Sequence, residues 1–198
     1  MTGIPGTVIG RPGGSLVDAG WAKNAAVADI GRAGEQRTAA VLNDLARLPS
    51  GPTVLHDLRI PIPGFTANID HVVVAGSRVT IIDSKVWRHG IYWTAAGRTR
   101  RGLEKIDFAD KKTLPTAQAA LRRHLDSRMT RDTVFGTNIL AVWPAGDGAL
   151  LTFAYRPQDA VVVHGRTLRR RLPRLTGAAP ADPVIVQILS QLVNGTDA

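Results

Sequence analysis

Cysteine is absent from the 198 residues. That removes disulfides, thiolate zinc sites and thiol nucleophiles from consideration. A chain of this length buries a full core without such staples and suits one domain with short tails. Long apolar runs are also missing, and no stretch approaches the roughly 20 residues of a membrane span. No charged segment followed by an apolar stretch opens the chain, so no secretory signal is expected and a cytoplasmic location is the default. His56, His71, His89, His124 and His164 are scattered, with no pair at a dependable zinc spacing. Negative charge is scarce: 16 acids face 25 Lys and Arg, for a net charge of +9. That imbalance points to a polyanionic partner. Arginine so outnumbers lysine, in a chain rich in Ala, Gly and Val, that genomic composition accounts for part of it.

Residues 1–25 are rich in Gly and Pro, lack periodicity and read as a flexible N-terminal arm. Residues 26–198 read as a single domain. Helical spacing covers 30–48, with Asp29 as N-cap and Pro49-Ser50-Gly51-Pro52 as the stop. Stretches 53–60, 67–75 and 78–87 read as strands, the last two joined by a tight turn at Gly76-Ser77. A strand beginning at Ile91 follows the turn at Gly90, and 96–101 reads as a basic loop. Residues 113–129 form the next helix, with Thr113 as N-cap and Pro115 tolerated in its first turn. The apolar run 134–143 reads as a strand buried on both faces. Strands at 150–155 and 160–164 and helices at 167–172 and 183–193 complete the chain. This order predicts an α/β sandwich with a mixed central sheet.

The chemistry concentrates between Asn68 and Trp87. If the hairpin turns at Gly76-Ser77, paired residues have numbers of constant sum, and Asp70 falls opposite Asp83 on the same face. Lys85, two residues on, shares that face. Like charges directly opposed repel, so this pair calls for a compensating cation, and oxygen ligands with an open side suit Mg²⁺ or Mn²⁺. Val72, Val74, Val79 and Ile81 share the face, which a solvated surface rarely tolerates. On the preceding helix Glu35 lies on one stripe with Thr38, Leu42 and Leu45. It is not a capping-box acid, because the residue three beyond Asp29 is Arg32.

Gly34-Glu35, Ile69-Asp70-His71-Val72, Ile82-Asp83-Ser84-Lys85, Trp87, Gly90-Ile91 and Leu114-Pro115-Thr116-Ala117-Gln118 occur in an order that resembles the nuclease-related domain (NERD) family of the PD-(D/E)XK nucleases. The resemblance spans roughly residues 30–145. It implies a restriction-endonuclease-like α/β/α core and Mg²⁺- or Mn²⁺-dependent phosphodiester cleavage. It also implies Asp70, Asp83, Glu35 and the Ser84 carbonyl as metal ligands, and Lys85 and Gln118 as catalytic residues beside the acids. Ile69 stands where the superfamily nominally has proline, and Asp83 where NERD members usually have glutamate.

Candidate nucleic-acid contacts are Arg98, Arg100, Arg101, Lys111, Lys112 and Trp87. Trp93, like Trp87, could stack on bases, though packing is the more frequent role of such residues. The expected activity is an endonuclease or nickase on DNA. The alternatives are a catalytically inactive nucleic-acid-binding module on the same fold and an α/β interaction protein. The expected partner is DNA, with RNA left open, no membrane, and a homodimer as an open alternative.

Overall fold

A run of β-branched residues builds an antiparallel hairpin, and the rest of the fold is laid upon it. The computed structural model describes residues 3–14, 25–106, 109 and 113–195, the side chains of 25–27 excepted. Strands β3 (Asn68–Ala75) and β4 (Arg78–Trp87) pair from Ala75 with Arg78 outward to His71 with Ile82. Gly76 takes a φ of 57° at the first of the two turn positions, the place where a two-residue hairpin turn favours glycine. Strand β2 (Thr53–Arg59) adds antiparallel to β3, and β1 (Val8–Ile9) adds parallel beyond it. On the other side of β4 lie β9 (Asn138–Pro144) and β11 (Ala160–His164), both parallel, while the short β8 (Val134–Phe135) pairs with the start of β4. The order β1-β2-β3-β4-β9-β11 makes the expected mixed sheet.

Alternation along the strands divides the core in two. Val72, Val74, Val79 and Ile81 pack against α2 (Thr113–Asp126) and α4 (Pro183–Ser190) through Leu121, Leu125, Ile185 and Leu189. Val73, Ile82, Ile139 and Ala141 face the opposite way, onto α1 (Ala25–Ala46) and α3 (Gly165–Thr176), and meet Leu42, Leu168 and Leu172. Leu42, Leu121 and Leu168 are fully buried, and burying a side chain of that size contributes about 1.5–3 kcal/mol. Among the described residues no helix is long and apolar enough to cross a membrane.

A second sheet grows from the end of β4: β5 (Gly90–Ala95), β6 (Arg98–Arg101), β7 (Glu104–Lys105) and β10 (Leu150–Ala154), in the order β10-β5-β6-β7. Its buried side, with Tyr92 and Leu150, packs on Trp87, Leu140 and Val142 of the main sheet.

Several elements differ from their sequence expectation. The arm is not wholly irregular: Val8 and Ile9 pair with Val54 and Leu55, and the Gly6 N–H donates to the Ala46 carbonyl at 2.8 Å. A two-residue strand leaves no periodicity to read. Residues 15–24 of the arm lie outside the described residues. Helix α1 starts at Ala25, so Asp29 is an interior residue that pairs with Arg32 at 3.6 Å rather than a cap. The expected loop at 96–101 is strand β6, entered through Ala96 and Gly97 with φ of 48° and 72°. Such a turn is signalled by Asn or Asp before glycine, and alanine hides it. The strand expected at 134–143 is broken at Gly136 into β8 and β9.

Gly34 sets how closely α1 approaches the sheet. A Cβ at this position would lie 2.5 Å from Val86 Cγ2 on β4, a β-branched side chain with little freedom to move aside. Alanine improves helix propensity by up to about 1 kcal/mol, but forcing α1 off the sheet costs about 1–3 kcal/mol. Gly34→Ala is therefore expected to lower stability in urea titration. The loss in the Gly34→Ala/Val86→Ala double variant should be smaller than the sum of the two single losses.

Candidate active site

The hairpin register extends one step beyond His71 and Ile82 and sets Asp70 opposite Asp83. Asp70 Oδ2 accepts the Ser84 backbone N–H at 2.6 Å. Lys85 Nζ lies 2.6 Å from Asp83 Oδ2 and donates to the Ser84 carbonyl at 3.2 Å. Val72, Val74, Val79 and Ile81 continue the same face into the core. The two aspartates thus stand at the end of an apolar surface, where water stabilises their charge poorly.

The electrostatics follow from that placement. Burial and the charge of Asp83 hold the Asp70 carboxyl well above the usual range, against the pull of Lys85. Glu35, on the edge of α1, is pushed up to about 7 by burial, opposed by Lys85 and reinforced by Asp57 and Asp83. Burial alone would lower Lys85, but Asp83 and Asp70 outweigh it and raise its pKa, so the ammonium is a fixed charge. One lysine faces three acids, and two of the three, Asp70 and Glu35, respond by holding their protons more tightly.

A fourth acid was not anticipated. The β2–β3 ladder pairs His56 with His71 and Leu58 with Ile69, which leaves Asp57 opposite Asp70. Asp57 is 3% exposed, has a left-handed φ of 54°, and accepts from Asn68 Nδ2 at 3.1 Å. The Gly13 N–H bonds to Glu35, and the missing side chain of Gly14 leaves room for the Asp57 carboxylate. The one available signal was a lone acid among apolar residues of a strand.

Behind the acids, on the α1 side of the sheet, runs a chain of buried hydrogen bonds. Asn43 Oδ1 meets His56 Nε2 at 2.9 Å, and His56 Nδ1 meets His71 Nδ1 at 2.8 Å. His71 Nε2 meets Ser84 Oγ at 3.0 Å, and Ser84 Oγ is 2.8 Å from Thr38 Oγ1, which also accepts from Trp143 Nε1 at 2.9 Å. Burial lowers the His56 pKa to about 4 and lowers that of His71 well below the ordinary value. Both rings are therefore neutral. The chain holds Ser84 by its side chain, and Ser84 holds Asp70 and Lys85 by its backbone. His71 faces away from Asp70, as the strand alternation predicts, and works through Ser84.

The remaining sequence candidates separate. Gln118 on α2 donates to the Gly136 carbonyl at 3.0 Å and accepts from Asn138 Nδ2 at 3.5 Å, tying the helix to the β8–β9 break. Its hydrogen bonds go there rather than to the acids. Trp87 is 3% exposed and stacks on Tyr92 at 4.6 Å, with Tyr155 edge-on at 5.2 Å. It is core, not a base-stacking surface, since odd positions of β4 beyond the acids face the second sheet. Arg98 and Arg100 lie on β6, Arg100 donating to the Leu103 carbonyl at 3.0 Å; Arg101 pairs with Glu104 and turns toward Tyr92. Lys111 and Lys112 lie outside the described residues.

Among the described residues no group of three or more His, Asp or Glu is arranged to hold a metal ion. The hard oxygens of Asp83 and the Ser84 carbonyl nevertheless already share one cation, the Lys85 ammonium. With Asp70 they form the kind of donor set that suits a hydrated divalent ion, which needs only one or two carboxylates and keeps several waters. The residues present fit Mg²⁺ or Mn²⁺ in that sense.

The acids and the buried histidines move stability in opposite directions with pH. Unfolding returns His56 to its ordinary 6.5, so from there down to about 4 the unfolded chain binds more protons and stability falls with pH. From pH 7 to about 4.5 that loss is roughly 2–3 kcal/mol for a group buried this completely. Glu35 and Asp70, with raised pKa values, bind more protons folded than unfolded, so their penalty grows as pH rises from 4.5 toward 7. Asp70→Asn is therefore expected to melt no lower than the wild type at pH 7, and to lose stability more steeply on acidification toward 4.5. A variant that is markedly destabilised at pH 7 would mean that Asp70 is a structural ion-pair partner.

No curated protein and no solved structure matches the chain. A family model does: the nuclease-related domain (NERD) matches residues 30–137, more than half of the 198. That span holds Glu35, Asp57, Asp70, Asp83, Ser84 and Lys85, the residues the fold gathers at one end of the hairpin. The chain belongs to the nuclease-related domain family.

Proposed function

We propose that this protein is a Mg²⁺- or Mn²⁺-dependent nuclease that hydrolyses phosphodiester bonds of DNA. The observation that carries the reading is the facing pair Asp70 and Asp83 with Lys85 on the same side of the hairpin, inside a nuclease-related domain. In hydrolysis a water oxygen bonds to phosphorus as the phosphorus–oxygen bond to the leaving nucleotide breaks, and a proton passes to the departing oxygen. Charge builds on the phosphoryl oxygens along the way. Lys85, permanently charged, is placed to stabilise that charge or to orient the water. Asp70, Asp83, Glu35 and the Ser84 carbonyl would hold the metal, which supplies Lewis acidity at the phosphoryl group. The net charge of +9 favours a polyanionic substrate.

Plasmid nicking tests this reading. Supercoiled DNA should be cut with Mg²⁺ or Mn²⁺ and left intact in chelator. Asp83→Ala removes a metal ligand and Lys85→Ala a fixed charge, and each should slow cleavage by about 10²–10³. Either metal should raise the melting temperature of the wild type, because a ligand that binds only the folded state stabilises it. That rise should shrink in Asp83→Ala. Full activity in either variant refutes the assignment, and DNA binding with no cleavage under any metal makes the protein a binding module.

A further inference from the structure

The second sheet turns one face to the core and the other to solvent. Leu151 on β10 is opposite Ile91 on β5, and across β5 and β6 Trp93 is opposite Arg100 and Ala95 opposite Arg98. Tyr92, Leu150 and Thr152 are buried, so alternation turns Ile91, Trp93 and Leu151 outward; β10 then shifts register, setting Ala154 opposite Trp93, and Phe153 within the shift is also exposed. Phe153 is 72% exposed, with Ile91 and Leu151 at 47% and 44%. Single exposed apolar residues are ordinary, but a contiguous set on one sheet face marks a binding surface.

The charges beside it are of one sign. The Arg100 guanidinium lies over the Trp93 ring, 5.9 Å from its centroid. Arg98 is exposed on the same strand, and Arg156 Nη1 donates to the Phe153 carbonyl at 2.7 Å. These four strands carry one acid, Glu104, which is exposed and pairs with Arg101 in the register of Tyr92 rather than of Trp93. Aromatic rings flanked by arginine suit unpaired nucleotides, whose bases stack on the rings while cations follow the phosphates. In a duplex the base faces are hidden and the rings would have nothing to stack on. The sheet is also fixed to the end of β4, the strand that carries Asp83 and Lys85, because Trp87 stacks on Tyr92 from beneath.

We infer that the outer face of the second sheet is a stacking platform for single-stranded DNA, which leads an unpaired strand to the Asp70–Asp83–Lys85 site. This rests on the nuclease reading for the nature of the polymer and narrows its substrate to DNA with unpaired nucleotides.

Fluorescence anisotropy in chelator, where no cleavage occurs, tests the platform separately from the chemistry. The probes are a labelled oligothymidylate of about 16 nucleotides, an abasic strand of the same length and charge, and a duplex of that length. The wild type should bind the oligothymidylate roughly tenfold more tightly than the abasic strand, the order expected for base stacking. Phe153→Ala should erase most of that difference while melting like the wild type, since the ring is 72% exposed. Equal affinity for abasic and base-bearing strands overturns the inference, as does tighter binding of the duplex, or a Phe153→Ala protein that still discriminates. Base discrimination with no metal-dependent cleavage of either the plasmid or a single-stranded oligonucleotide refutes the nuclease reading and supports the platform, whereas cleavage without base discrimination does the reverse.

Discussion

Two carboxylates opposed across an antiparallel hairpin repel each other, and the surroundings of Asp70 and Asp83 are arranged around that repulsion. The hairpin cannot move them apart, because one step of register would turn Val72, Val74, Val79 and Ile81 away from α2 and α4. The core therefore holds the acids together. What offsets their repulsion is local: the Ser84 N–H on Asp70, the Lys85 ammonium on Asp83, and raised proton affinity at Asp70 and Glu35. A site held in this condition gains from any hard cation that enters it.

Ser84 links the two sides of the sheet. Its backbone serves the acidic face, while its hydroxyl is locked into the His56–His71–Thr38 chain on the face of α1. Two neutral imidazoles carry one N–H each, so each ring donates at one nitrogen and accepts at the other. Buried polar networks of this kind cost little when every member is satisfied and much when one is not. The same chain joins α1 to β2, β3, β4 and β9, and with Gly34 against Val86 it sets how close Glu35 comes to the acids. The position of the half-buried Glu35 carboxylate is thus decided by how α1 packs on the sheet.

The second sheet is fastened to the main one by aromatic stacking of Trp87, Tyr92 and Tyr155 rather than by strand pairing. Rings that a strand presents inward become glue between sheets, and rings that its neighbours present outward stay open to solvent. Trp87 and Phe153 differ in role for that reason alone.

By itself the sequence determined the parts that obey local rules. Two apolar runs joined at Gly76-Ser77 point to a register that opposes Asp70 and Asp83 with Lys85 alongside. The spacing of Leu42 and Leu45 places Glu35 at the edge of a buried helical stripe. The ordered motifs sufficed to recognise the family. Tertiary structure decided what depends on distant partners. Asp57 joined the acids through a left-handed backbone that its local sequence does not call for, and Gly13 and Gly14 reached them from an arm with no periodicity of its own. Gln118 was drawn to Gly136 and Asn138, because a helical position specifies a face and not the carbonyl that will meet it. The strand at 98–101 stayed hidden behind an alanine in a turn that glycine or asparagine normally announces. Which aromatic is buried and which is exposed follows from which side of a sheet is covered, and that is known only once the two sheets have packed.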